Sequence, residues 1–283
     1  MTVSDAQPSP YETSHDIITL GAAADELRRQ LHGVRTTFVR VADVSAAVGD
    51  PIHVPPRAGE VRILGQPANL AAASARVREV LAAAGSVPVS AYSLDHLEAL
   101  ASQADLPLRT VLEDLQQAGL ELIAEAPFDR LRDHRLAIEE VNIAGLSLAR
   151  LTIHTQPQAD IPGMYRRIAA LQHEVGVLRV FAPLPRALNP AAPSTGYDDV
   201  RTVALARLLV PNVASIQVDW ALYGPKLAQV ALTVGADDID SVSPVDDEAE
   251  GRRRTAIEEV RRNVTAAGQE PVERDGRFDM LPR

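Results

Sequence analysis

Few side chains here have the type and placement for chemistry. The first is His154, which ends the β-branched run Arg150-Leu-Thr-Ile-His154. A histidine titrates near neutral pH and can hold or move a proton, or bind a ligand, from such a strand end; a structural or solvated histidine fits the same pattern. The second is the carboxylate cluster Asp237, Asp238 and Asp240. Such a cluster could hold a cation or a ribose hydroxyl, although helix-end and turn chemistry accounts for it equally well. The third is the aromatic pair Trp220 and Tyr223. They could stack on an aromatic ligand, or sit as amphipathic residues at the edge of a core.

The excluded chemistries are informative. There is no G-x-G-x-x-G, phosphate loop, G-x-S-x-G or H-E-x-x-H. The seven histidines are scattered, with no pair at metal-ligand spacing. Cysteine is absent altogether, which removes disulfides, thiolate nucleophiles, cysteine-bound zinc and any ordinary iron–sulfur cluster.

Around these groups the chain alternates between strand and helix patterns. Leu20–Leu31 is an amphipathic helix closed by His32-Gly33, and Thr36–Val41 is the first strand. Glu60–Gly65 is the next strand, Leu70–Ala84 an alanine-rich helix and Val87–Ala91 a strand. A helix from Leu94 to Ala118 is interrupted at Leu106-Pro107. After the strand ending at His154 come a helix from Ile161 to Val175, a strand from Arg179 to Leu184 and a Pro/Ala/Ser-rich loop from Leu188 to Gly196. A helix over Val200–Leu209, a strand over Ser215–Trp220, a turn at Tyr223-Gly224-Pro225, a helix from Lys226 to Val234 and a strand from Asp237 follow. A last helix is expected from Arg254 to Ala267. This order implies a mostly parallel sheet with right-handed crossovers, and 283 residues suffice for one (β/α) TIM-type barrel.

Composition narrows the setting. The chain is 46% hydrophobic, with no apolar run near the roughly 20 residues of a membrane span. A net charge of -10, with arginines scattered among acids, argues against a nucleic-acid partner. Residues 1–16 are acidic and proline-containing, and read as a disordered, cytoplasmic N-terminus ahead of a single domain over 17–283 with a C-terminal helical extension. The runs Asp246-Asp-Glu and Arg252-Arg-Arg read as solvated helix-flanking segments.

Thr202-Val-Ala-Leu-Ala-Arg-Leu-Leu-Val-Pro-Asn212, followed by Gly224-Pro-Lys-Leu-Ala-Gln-Val-Ala-Leu-Thr-Val-Gly-Ala-Asp-Asp-Ile-Asp240, resembles the C-terminal part of the aminofutalosine synthases. These are radical S-adenosylmethionine enzymes of the futalosine route to menaquinone, related to the dehypoxanthine futalosine cyclases and the deazaflavin cofactor synthases. Glu60-Val-Arg-Ile-Leu-Gly65 is similar to the family's E-V-H-I-V-G-G strand, which makes Gly65 a candidate ligand-binding position, with Gln66 in place of the second glycine. Leu94 to Leu120 is similar to a segment that precedes a glycine triplet in the family; here Glu121–Pro127 takes its place. His154 aligns with the family's G-H-x-E, without its glycine and glutamate.

The resemblance implies a three-cysteine loop after the first barrel strand, an iron–sulfur cluster and bound S-adenosylmethionine. The chain has Ala42 to Pro56 there, short and proline-rich, without the following helix. The barrel is therefore expected to be incomplete or shortened after its first strand, with no cluster and with S-adenosylmethionine binding in doubt. The expected ligand-binding residues are Gly65, His154, Trp220, Asp237 and Asp238, and no metal site or catalytic residue is assigned. Two functions stay open. One is a cluster-less, non-radical binding or regulatory partner of a menaquinone-pathway enzyme; the other is an enzyme with changed, iron–sulfur-independent chemistry on a futalosine-like small molecule.

Overall fold

Extended, β-branched stretches and helical stretches with aspartate, asparagine or threonine at their starts follow one another along the chain. The computed structural model describes residues 10–155, 160–188, 190–191, 193–246 and 255–282. The first half contains α1 (Ile17–His32), β1 (Arg35–Ser45), β2 (Glu60–Leu64), α2 (Leu70–Ala84), β3 (Val89–Ser93), α3 (Leu94–Gln103), α4 (Leu108–Gln117), β4 (Leu122–Pro127) and α5 (His134–Ile143). Then come β5 (Ser147–Leu148), β6 (Leu151–Ile153), α6 (Ile161–Val175), β7 (Val180–Pro185), α7 (Gly196–Leu209), β8 (Ser215–Asp219), α8 (Trp220–Leu232), β9 (Asp238–Val242), α9 (Ala256–Ala266) and β10 (Glu270–Glu273). The helix starts are capped as their sequences dictate: Asp16 accepts from the Ile18 and Thr19 amides at 3.1 and 3.2 Å, Asn69 caps α2, and Thr195 and Thr255 each close a capping box.

Eight parallel strands close on themselves in the order β1, β2, β3, β4, β6, β7, β8, β9, with β9 returning to β1 where Thr37 stands opposite Asp238. This is a TIM-type α/β barrel. The shortening after the first strand is present: residues 46–59 join β1 to β2 without a helix, and Ile52 and Val54 pack against the core instead. The barrel closes despite it, since β1 pairs with β2 over Val41–Ser45. Below that pairing, β10 takes the same edge of β1, opposite Arg35–Phe38. Pro271, which has no amide hydrogen to offer a neighbour, is tolerated because β10 is an outer strand.

Strand alternation sets the two faces. Val61, Ile63, Ile123, Ile216, Val218 and Ile239 are buried in the hydrophobic core. Of the opposite positions, which point into the barrel, Glu60, Arg62, Ser90, Arg150, Gln217, Asp238 and Asp240 are polar and buried, while β1, β4 and β7 contribute Val39, Val41, Leu122, Ala124, Val180 and Ala182. Barrel interiors of this type are usually filled by branched apolar side chains; in this one ion pairs take a large share of the space. At the N-terminal end Arg274 plugs it, donating to Asp238 through Nε and Nη2 at 2.7 Å each, with its guanidinium 3.5 Å over the Phe278 ring.

Residues 1–9 of the N-terminal segment, the acids beyond Asp246 and the Arg252–Arg254 run lie outside the described residues. Residues 12–15 meet α6 and α7: Arg201 donates to the Glu12 and Ser14 carbonyls at 2.9 and 3.2 Å, and Arg166 pairs with Glu12. No helix among the described residues is long and apolar enough to cross a membrane.

Candidate functional site at the barrel mouth

The C-terminal ends of the strands surround a cavity of about 420 Å³, the end of the barrel where such folds bind their ligands. Its floor is an ionic lattice. Glu60 accepts from Arg62 Nε at 2.9 Å, Ser90 Oγ at 2.5 Å and Arg150 Nη2 at 3.1 Å. Asp240 accepts from Arg62 at 2.8 and 3.2 Å and also from Arg150. Burial pushes the Glu60 carboxyl up, but the Arg62 and Arg150 guanidiniums outweigh it and hold it down to about 2. Burial likewise opposes ionisation of Asp240, and Arg150, Arg62 and Arg186 again prevail, so that its carboxyl stays well below the ordinary range. Arg150 Nε and His96 Nδ1 are buried and have no hydrogen-bond partner among the described residues.

The upper ring is looser. Arg186 donates to Asp219 at 2.6 Å and stands 3.4 Å from Glu125 and 3.8 Å from Asp240. Asp219 also caps α8 through the Leu222 amide at 2.8 Å and accepts from Ser241 Oγ at 3.1 Å. Asp43 stands exposed at the rim with no hydrogen bond or ion pair among the described residues. Desolvation, and the carboxylates of Asp240, Glu60 and Asp219 against the opposing Arg62, raise its carboxyl above the usual value. Tyr92 and Ser241, both at the mouth, have left-handed backbones, with φ of 59° and 57°. The Tyr92 ring is thereby turned out of the barrel, and its hydroxyl donates to the Ala73 carbonyl of α2 at 3.0 Å.

The candidates read from sequence are dispersed. Gly65 lines the mouth with φ +104°, and a Cβ there would stand 3.6 Å from Ala46 Cβ, so its main need is conformational. His154 stands outside the mouth cavity; its amide donates to Asp129 at 2.6 Å. Trp220 is buried against a neighbouring cavity of about 680 Å³ that adjoins the mouth at Asp43, Ala221 and Ser241. Asp237 is buried and held by Arg207, Ser215 and the Ile216 amide, with His32 3.5 Å away. Asp238 is spent on Arg274, Thr37 and Gln217. The two aspartates therefore do not face one ligand; each closes a separate internal network. Missed from sequence were Asp43, Glu60, Arg62, Arg150, Arg186 and Asp219. The available signal was period-two charge in Glu60-Val-Arg62 and Asp238-Ile-Asp240, on strands expected to be buried.

A cluster of the radical S-adenosylmethionine type requires thiolate ligands after the first strand. The β1–β2 connection carries none, and no group of three or more histidine, cysteine or acidic side chains is placed to hold a metal among the described residues. This donor set does not fit the cluster.

Residues 184–283 match the model of the CofH/MqnC C-terminal region. The chain is 30% identical over 230 residues to aminodeoxyfutalosine synthase of Thermus thermophilus, covering 68% of this chain and 60% of that protein. It is 27% identical over 187 residues to the cyclic dehypoxanthine futalosine synthase of Streptomyces coelicolor, covering 60% and 47%. With 5-amino-6-(D-ribitylamino)uracil–L-tyrosine 4-hydroxyphenyl transferase of Archaeoglobus fulgidus it shares 32% over 126 residues, 40% of this chain and 37% of that one. Among solved structures, methylornithine synthase superposes with a TM-score of 0.62 at 15% identity over 92% of this chain and 90% of that one. The [FeFe]-hydrogenase maturase HydG of Carboxydothermus hydrogenoformans also gives 0.62, at 12% identity over 92% and 73%. These two likenesses show the fold.

Fold and mouth together define a TIM-type barrel protein with an ionic floor and no thiolate beneath its rim. By sequence the chain belongs to the aminofutalosine synthase-like radical S-adenosylmethionine family, in a degenerate form that lacks the cysteine motif. It spans about 60% of the length of the aminodeoxyfutalosine synthases it matches.

Proposed function

We propose that the chain is a cluster-less paralogue of aminofutalosine synthase, a cytoplasmic protein that binds a small molecule at the barrel mouth and serves menaquinone synthesis as a non-radical binding or regulatory partner of a pathway enzyme. The supporting observation is the contrast within one chain: the barrel and the C-terminal region over 184–283 are kept, while the β1–β2 connection carries no cysteine and no helix. Tagged protein recovered from its source cell is expected to bring down an enzyme of menaquinone synthesis. Recovery of none from cells that make menaquinone contradicts the partner role.

Asp43 and His96 favour a second reading, an enzyme with iron–sulfur-independent chemistry on a futalosine-like molecule. Both line the mouth, one with a carboxylate and the other with a ring nitrogen that have no hydrogen-bond partner among the described residues. Turnover of a futalosine intermediate that is lost in Asp43→Asn or His96→Ala selects this reading. Binding without turnover selects the first.

A further inference from the structure

A second cavity, of about 820 Å³, lies beyond the end of β7 against α7 and α8, and Leu222 walls both cavities. Between them run Pro185, Arg186 and Ala187, whose alternation sends Arg186 into the mouth and lines the side cavity with the other two.

The two spaces differ in chemistry. Ile161, Leu188, Leu222 and Leu227 make the side cavity predominantly apolar, with Asp198 and Arg201 also in its wall, and the Tyr223 hydroxyl there is already bonded to the Pro185 carbonyl at 2.7 Å. Asp199, buried at its edge, has its carboxyl pushed up by desolvation, as an acid beside apolar walls is. In and beneath the mouth, five carboxylates (Asp43, Glu60, Glu125, Asp219, Asp240) face three guanidiniums (Arg62, Arg150, Arg186). All three arginines are engaged by carboxylates. The surplus is two negative charges, and the carboxylate at the open rim, Asp43, makes no hydrogen bond or ion pair among the described residues.

We propose that mouth and side cavity form one binding site for an amphipathic organic cation, whose apolar body fills the side cavity and whose protonated amine turns past Leu222 towards Asp43. The assignment rests on the reading of the mouth as the ligand site and on no particular reaction. Apolar contact supplies the affinity, and the net negative mouth discriminates against an anionic head.

Calorimetric titration of the full chain with octylamine, octan-1-ol, octanoate and butylamine tests it. Octylamine is expected to bind about tenfold or more tighter than octanoate, a discrimination by charge, and about tenfold or more tighter than butylamine, which lacks the apolar body. Asp43→Asn, at an exposed position, is expected to weaken octylamine about tenfold and leave octan-1-ol unchanged. Leu227→Trp, which fills the side cavity, is expected to weaken octylamine and octan-1-ol and leave butylamine unchanged. Octanoate binding as tightly as octylamine, butylamine binding as tightly as octylamine, or no binding of octylamine overturns the assignment. Such a failure leaves the cluster-less reading standing, because iron, sulfide and partner recovery decide that one.

Discussion

Asp240→Asn removes one charge from the barrel floor at nearly constant shape. Asp240 is fully buried and answers two guanidiniums directly, Arg62 at 2.8 and 3.2 Å and Arg150, with Arg186 at 3.8 Å. Removing one partner of a buried ion pair costs about 3–5 kcal/mol, because the other charge stays desolvated. Here Glu60 remains as the one carboxylate bonded to both Arg62 and Arg150, so the upper half of that range is expected. Against a total stability of about 5–15 kcal/mol and a urea slope of about 3 kcal/mol/M, the unfolding midpoint falls by about 1.3–1.7 M. Asp43→Asn, at the rim, is expected to stay within about 0.5 kcal/mol of the parent. Urea unfolding of both variants at pH 7 measures this directly. An Asp240→Asn midpoint equal to that of Asp43→Asn would show that the lattice is solvated or internally compensated, and the electrostatic account of the floor would fall.

Three further outcomes follow from the same geometry. Glu60 titrates at about 2 in the folded chain against 4.5 ordinarily, and Asp240 is also lowered, so their contribution is complete above about pH 4.5 and is lost as pH falls towards 2; urea midpoints measured from pH 7 to 3 are expected to fall below that point, and a flat profile contradicts it. Gly235→Ala places a Cβ 2.8 Å from Arg207 Cβ and 3.1 Å from Ala24 Cβ at φ +112°, at a cost of about 1–3 kcal/mol in thermal unfolding; a melting point unchanged from the parent refutes the close approach of α1, α7 and the α8–β9 turn. Thr255→Ala opens the capping box of α9 and is expected to cost about 1 kcal/mol, with amide exchange rising first in that helix's opening turn; exchange unchanged there would show that packing, not the cap, sets the helix start.

Much of the frame was legible because it is local. The α6 boundaries, the break between α3 and α4 at Leu106-Pro107 and the helix missing after β1 are written in period, proline and glycine. The turn read at Tyr223-Gly224-Pro225 survives as a break inside α8, where Gly224 has φ 75° and ψ 169°. Not foreseen were β4, a stretch read only as standing in place of a glycine triplet, α5, whose apolar face is short, and β10, whose strand character depends on β1 lying beside it. The site was least legible. Arg62 meets Asp240 across 178 positions and Arg150 meets it across 90, pairings that only barrel closure creates. Asp237 and Asp238, adjacent in sequence, belong to different networks because neighbouring strand residues face opposite ways. Tyr92, whose left-handed backbone turns its ring away from the mouth, could not have been placed by alternation alone.

This barrel carries none of the thiolates that mount an iron–sulfur centre. The most direct measurement is anaerobic reconstitution with iron and sulfide, followed by iron and sulfide analysis and by a search for cleaved S-adenosylmethionine under reducing conditions. Substoichiometric iron and sulfide, no charge-transfer absorbance and no adenosyl product are expected. A full complement of iron and sulfide per chain, with adenosyl cleavage, contradicts this.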